Sequence, residues 1–118
     1  MYKLTVSDKF SAAHQLLNYN GKCENIHGHT FKISITVEGK NLDKSDLLVD
    51  FKVLKEYLKE IYDLFDHKLL NEELDFSPTS ENLAKYIYDF IKPKLPKGIF
   101  LSEAVVWESD TACATYYE

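Results

Sequence analysis

The chain has 118 residues, a mass of 13.7 kDa and a formal net charge of −5, with 45% of its residues hydrophobic and 28% charged. That size holds a single domain with a real core, whereas no apolar run approaches the roughly 18 residues of a membrane helix and no basic or basic-aromatic patch offers a footprint for nucleic acid. A small-molecule ligand is the expected partner, and any phosphate on it must meet lysine, backbone amide or metal, because all fourteen basic residues are lysine.

The opening M-Y-K-L-T-V-S-D-K lacks the regions of a secretory signal, so a cytoplasmic protein is expected. Cys23 and Cys113 are too few for a disulfide framework. From Tyr2 to His14 the even positions read Tyr, Leu, Val, Asp, Phe, Ala, His against mainly polar odd positions, which predicts a half-buried strand. From His27 to Val37 the odd positions His27, His29, Phe31, Ile33 and Ile35 face Gly28, Thr30, Lys32 and Ser34, the same period and a second strand. Paired as an antiparallel hairpin with both apolar faces inward, the strands bring His14, His27 and His29 together at one end of the sheet. The connecting loop, roughly Leu17 to Ile26, carries Cys23 to that end.

Asp50 then caps a helix whose Phe51, Leu54, Leu58, Ile61 and Phe65 recur at helical spacing, ending near Asp66-His67. A loop runs through Pro78. Thr79 or Ser80 caps a second helix with Leu83, Ile87, Phe90 and Ile91 on one face and Pro93 at its end. Leu101–Glu108 and Ala112–Tyr117 read as a second hairpin. The order ββααββ predicts one α+β domain over 1–118, with two helices on one face of a four-stranded antiparallel sheet.

A single histidine on an apolar face is more often a satisfied core residue than a ligand, but three converging imidazoles can hold a metal and leave a coordination position open, as catalytic zinc does. Cys23 has two readings: a fourth ligand that closes the site, or a thiolate that moves protons beside an open one. Cys113 reads as a packed apolar residue. Asp66-His67 is either a favourable helix C-terminus or a carboxylate that orients an imidazole. Glu108, one of ten glutamates, reads as a solvated strand end, and P-T-S-E-N as helix capping.

Taken in order, F-S-A-A-H at 10–14, C-E-N-I-H-G-H at 23–29, L-V-D-F at 48–51, D-H-K-L-L-N-E at 66–72, P-T-S-E-N-L at 78–83 and W-E-S at 107–109 resemble the 6-pyruvoyltetrahydropterin and 6-carboxytetrahydropterin synthase family nearly end to end. The resemblance implies a tunnelling fold in which ββααββ subunits close a β-barrel by trimerisation and two trimers stack into a hexamer. It implies Zn²⁺ on His14, His27 and His29, Cys23 as proton acceptor, Asp66-His67 as relay and Glu108 gripping the pterin, with Thr79 and Ser80 at the substrate. The three residues between Cys23 and H-G-H are similar to the bacterial and archaeal carboxytetrahydropterin synthases. Their implied substrate is a pterin triphosphate, converted on the way to queuosine; pyruvoyl formation on the same scaffold and a non-catalytic, zinc-stabilised oligomer are the alternatives. Two positions depart from the pattern: Asp46 stands where glycine is common, and Gln15 where a basic residue often follows the first zinc histidine.

Overall fold

The computed structural model describes residues 1–20 and 25–118. Strands β1 (Tyr2–His14) and β2 (His27–Gly39) precede helices α1 (Phe51–Phe65), α2 (Leu70–Glu73) and α3 (Ser80–Ile91), a 3₁₀ turn over Lys92–Lys94, and strands β3 (Phe100–Ser109) and β4 (Ala112–Tyr116). The four strands form one antiparallel sheet in the order β1-β2-β3-β4. No described helix is long and apolar enough to cross a membrane.

The β1–β2 ladder runs without a bulge from Tyr2↔Gly39 to His14↔His27. An unbroken ladder preserves side-chain parity, so Val6, Phe10, Ala12 and His14 share the buried face with Phe31, Ile33, Ile35 and Val37. The rings of Phe10 and Phe31 stack at 5.3 Å, and Phe65 of α1 lies 5.8 Å from Phe10. Burial of each such side chain contributes about 1.5–3 kcal/mol, which makes this layer a firm floor beneath the histidines.

Asp50 caps α1, its carboxylate accepting from the Lys52 N–H at 2.9 Å. Leu54, Leu58, Ile61 and Phe65 point inward, but Phe51 is 53% exposed: as the first helical residue it lies short of the sheet rather than in the apolar stripe. Thr79 caps α3, accepting from the Asn82 N–H at 3.1 Å, and Leu83, Ala84, Ile87, Tyr88 and Ile91 pack inward. Two short elements go beyond the expected ββααββ order. The expected loop to Pro78 contains the single turn α2, and the chain passes Ile91 into a 3₁₀ turn because Pro93 sits early in that turn, where its missing N–H costs little. Cys113 is exposed rather than packed, since it pairs across from Trp107 on edge strand β4 and its parity turns it away from the helices.

Candidate active site

At the open end of the β1–β2 hairpin three imidazoles meet. His14 is fully buried, its ring centroid 4.6 Å from that of His27 and 5.1 Å from that of His29. The ring partners define the tautomers. His14 Nδ1 lies 2.8 Å from the Pro78 carbonyl oxygen, and His27 Nδ1 lies 2.9 Å from that of Asn25. A carbonyl only accepts, so each Nδ1 carries a proton, and in the neutral imidazole that makes Nε2 the acceptor facing inward. Those two Nε2 atoms face each other at 3.0 Å.

Two lone pairs held at that distance repel unless a cation or a shared proton lies between them. With Zn–N bonds of about 2.0–2.1 Å, tetrahedral ligand nitrogens stand about 3.3 Å apart, close to the spacing seen. The residues present therefore fit a zinc-sized ion, and anchoring each Nδ1–H on a backbone carbonyl is the outer support that metal-binding histidines ordinarily have.

Glu108 joins them. Ligand atoms of His14, His27, His29 and Glu108 all lie within 4.8 Å of one another. Glu108 Oε1 is 2.9 Å from His29 Nε2 and 3.6 Å from His14 Nε2, while Ser80 Oγ donates to Oε2 at 3.5 Å. The pairing of Lys32 with Trp107 makes this possible: it leaves Glu108 on the inner face of β3, in parity with Ala104 and Val106, beside the histidine end of β2. The expected solvated strand end is thus a half-buried carboxylate beside the imidazoles. On its other side Glu108 lines a cleft of about 410 Å³ with Ser80, Glu81, Cys113 and Thr115.

Asp66 and His67 lie elsewhere. The segment 66–69 runs along the outer edge of β1, with the His67 N–H donating to the Ser11 carbonyl at 2.6 Å and the Ala13 N–H to the Lys68 carbonyl at 2.9 Å. Asp66 Oδ2 accepts from His67 Nδ1 at 2.6 Å and Oδ1 from the Ser11 N–H at 3.0 Å. The Ser11 backbone hydrogen bond, aided by those from His67 and Tyr62, holds the Asp66 carboxyl below its usual range despite partial burial. Asp66 in turn raises the Tyr62 hydroxyl above its ordinary value. The His67 ring is 82% exposed, its backbone is left-handed (φ 58°), and it borders a cleft of about 590 Å³ that Ser11, Gly28 and Thr30 line together with His29 of the cluster. The pair is formed as expected, but it is not part of the four-residue cluster.

Thr79 spends its hydroxyl on the α3 cap, and Ser80 is buried against Glu108. Cys23, the expected proton acceptor, lies outside the described residues. Sequence reasoning passed over Asn71, whose side-chain amide accepts from the Gln15 N–H and donates to the Gln15 carbonyl, both at 2.8 Å. Ser77 Oγ accepts from the Leu17 N–H at 3.0 Å. These bonds and the Pro78 carbonyl tie His14 and the residues just after it to 71–78. The motif D-H-K-L-L-N-E includes Asn71, but nothing local distinguishes this asparagine from a turn residue.

The sequence profile of the 6-pyruvoyl tetrahydropterin synthase family matches residues 3–118. A 6-carboxy-5,6,7,8-tetrahydropterin synthase of Bacillus subtilis is 41% identical over 102 residues, covering 80% of this chain and 68% of the relative. The human 6-pyruvoyl tetrahydrobiopterin synthase is 34% identical over 124 residues, covering 91% and 85%. Among solved structures, the Caenorhabditis elegans 6-pyruvoyl tetrahydropterin synthase superposes with a TM-score of 0.82 at 24% identity, over 99% of this chain and 95% of that one, a likeness of fold. With a profile that spans the sheet, the helices and all three imidazoles, the chain belongs to the 6-pyruvoyl tetrahydropterin synthase family.

Proposed function

We propose that this protein is a zinc-dependent lyase of pterin metabolism that converts 7,8-dihydroneopterin triphosphate and one water to 6-carboxy-5,6,7,8-tetrahydropterin, acetaldehyde and triphosphate, in the cytoplasmic synthesis of 7-deazaguanine nucleosides such as queuosine. The observation that carries the reading is the convergence of His14 and His27 through their Nε2 atoms, with His29 and Glu108 beside them. Zinc held by the three imidazoles supplies Lewis acidity, which acidifies a substrate hydroxyl and polarises a carbonyl.

The protein's own groups do the rest. Glu108 accepts hydrogen bonds from the N–H edge of the pterin in the cleft it shares with Ser80, and Thr79 sets the start of α3 beneath it. Cys23 as thiolate removes a proton from the substrate side chain, and His67, kept in orientation by Asp66, handles the complementary transfer. Asp66 and His67 stand outside the four-residue cluster of their own chain, and the reading has them work on the imidazoles of a neighbouring subunit in a dimer of barrel-closing trimers. Barrel closure also removes the exposed edge of β4.

Product mass after incubation with the triphosphate tests the activity: a carboxy product supports it. The similarity to the human relative favours one second reading, elimination of triphosphate to the pyruvoyl product on the same scaffold. Absence of either product, with Cys23→Ala shedding both zinc and the oligomer, assigns the chain to a non-catalytic zinc-stabilised assembly instead.

A further inference from the structure

The substrate-gripping role proposed above leaves one feature of Glu108 unaccounted for. Its two oxygens have different partners, Oε1 lying 2.9 Å from His29 Nε2 and 3.6 Å from His14 Nε2, and Oε2 accepting from the hydroxyl of Ser80, a residue that lines the 410 Å³ cleft with Glu108. A carboxylate whose only task was to bind a ligand in the cleft would have both oxygens there. Here one oxygen reaches the point on which the imidazole nitrogens converge, and carboxylate oxygen is an ordinary zinc ligand.

We propose that Glu108 is a gate: it fills the fourth coordination position of the metal while the cleft is empty, and gives that position up when a pterin takes the carboxylate from the cleft side. This rests on the metal-binding reading of the imidazoles and deepens it. The design has a chemical logic, because three neutral imidazoles and one carboxylate close a tetrahedral ion against stray anions, and the group that closes it is the one the proper ligand must engage. Metal access and cleft occupancy are then coupled. Whatever binds Glu108 in the cleft raises the affinity of the metal for an external ligand, and by linkage the reverse holds equally.

The test loads the protein with Co²⁺ in place of zinc and titrates azide, following the visible absorption of the metal. It compares wild type, Glu108→Gln and Glu108→Ala, each checked for one bound Co²⁺ per chain and an unchanged circular dichroism spectrum. The gate predicts that azide binds both variants at least about tenfold more tightly than wild type, and that saturating unsubstituted pterin tightens azide binding to wild type by a comparable factor while leaving Glu108→Ala unchanged, within the range of 5–150-fold usual for coupled sites. Azide affinities within about twofold across all three proteins, or a pterin effect that persists in Glu108→Ala, overturn the proposal. Failure to bind Co²⁺ overturns both the gate and the metal reading. Lack of turnover on dihydroneopterin triphosphate, with the azide result as predicted, removes the proposed activity and leaves the gate standing.

Discussion

Asn71→Ala removes the paired hydrogen bonds that fix Gln15, the residue after His14. The side chain forms two bonds of 2.8 Å in a part-buried setting, and its loss leaves both the Gln15 N–H and its carbonyl without those partners. At a net contribution of about 1 kcal/mol per bond, the variant is less stable by about 2 kcal/mol. At roughly 4 °C per kcal/mol for a domain of this size, the melting temperature falls by about 8 °C. Asn71→Asp keeps an acceptor for the Gln15 N–H but has no donor for the carbonyl, so about half of the loss is expected. Urea unfolding of the metal-free proteins at one fixed protein concentration measures both differences, with the slope of the transition unchanged. Zinc affinity, measured by competition with a chromophoric chelator, should fall about tenfold in Asn71→Ala, because the support beneath His14 is loosened. Stability of both variants within about 0.5 kcal/mol of wild type, the range of an uninvolved surface substitution, refutes the anchoring role.

The Asp66 carboxyl sits below its unfolded value of about 3.9, so it adds stability that is complete above that pH and is lost as pH falls through the lowered value. The unfolding-midpoint gap between wild type and Asp66→Asn should therefore narrow from about pH 5 downward; a gap constant to about pH 2.5 contradicts the assignment. His67→Gly relieves a left-handed backbone and gives up only an exposed ion pair, so it should raise stability by up to about 1 kcal/mol while abolishing turnover; a markedly less stable protein argues against stored strain. Asp46→Gly should likewise hold or gain up to about 1 kcal/mol in urea unfolding, since Asp46 has φ 61° in a turn built mainly by Asp43. A loss above about 1 kcal/mol would mean that its side chain contributes to the turn.

The parts of the fold readable in advance are those fixed by local alternation. From Lys3 to His14 the burial of β1 alternates, so parity placed His14 with Phe10 and Ala12, and the same logic placed His27 and His29 with Phe31. Asp50 and Thr79 announced their helices because each supplies an oxygen to an otherwise unpaired N–H. Glu108 could not be placed beside the imidazoles from local pattern, since its position depends on β3 pairing with β2 across more than sixty residues of intervening chain. Asn71 and the Pro78 carbonyl act through contacts with the segment after β1 that leave no periodic trace. Phe51 and Cys113 misled for a simpler reason: apolar character fits the interior, but one lies at a helix start and the other on the outward side of an edge strand.

The His14↔His27 pair is the last rung of the β1–β2 ladder, and the next residue bonded to β1 from outside β2 is far along the chain. An ion shared by those two rings therefore also fastens the mouth of the loop 15–26. Such a fastening acts on the unfolded chain as a cross-link does, and for a loop of about 15 residues the loss of freedom is worth on the order of 3 kcal/mol. Folding of this chain should consequently be metal-sensitive in its rate as well as its yield: zinc captured early by the two ends of the hairpin would set the longest register in the sheet before α1 or β3 arrives.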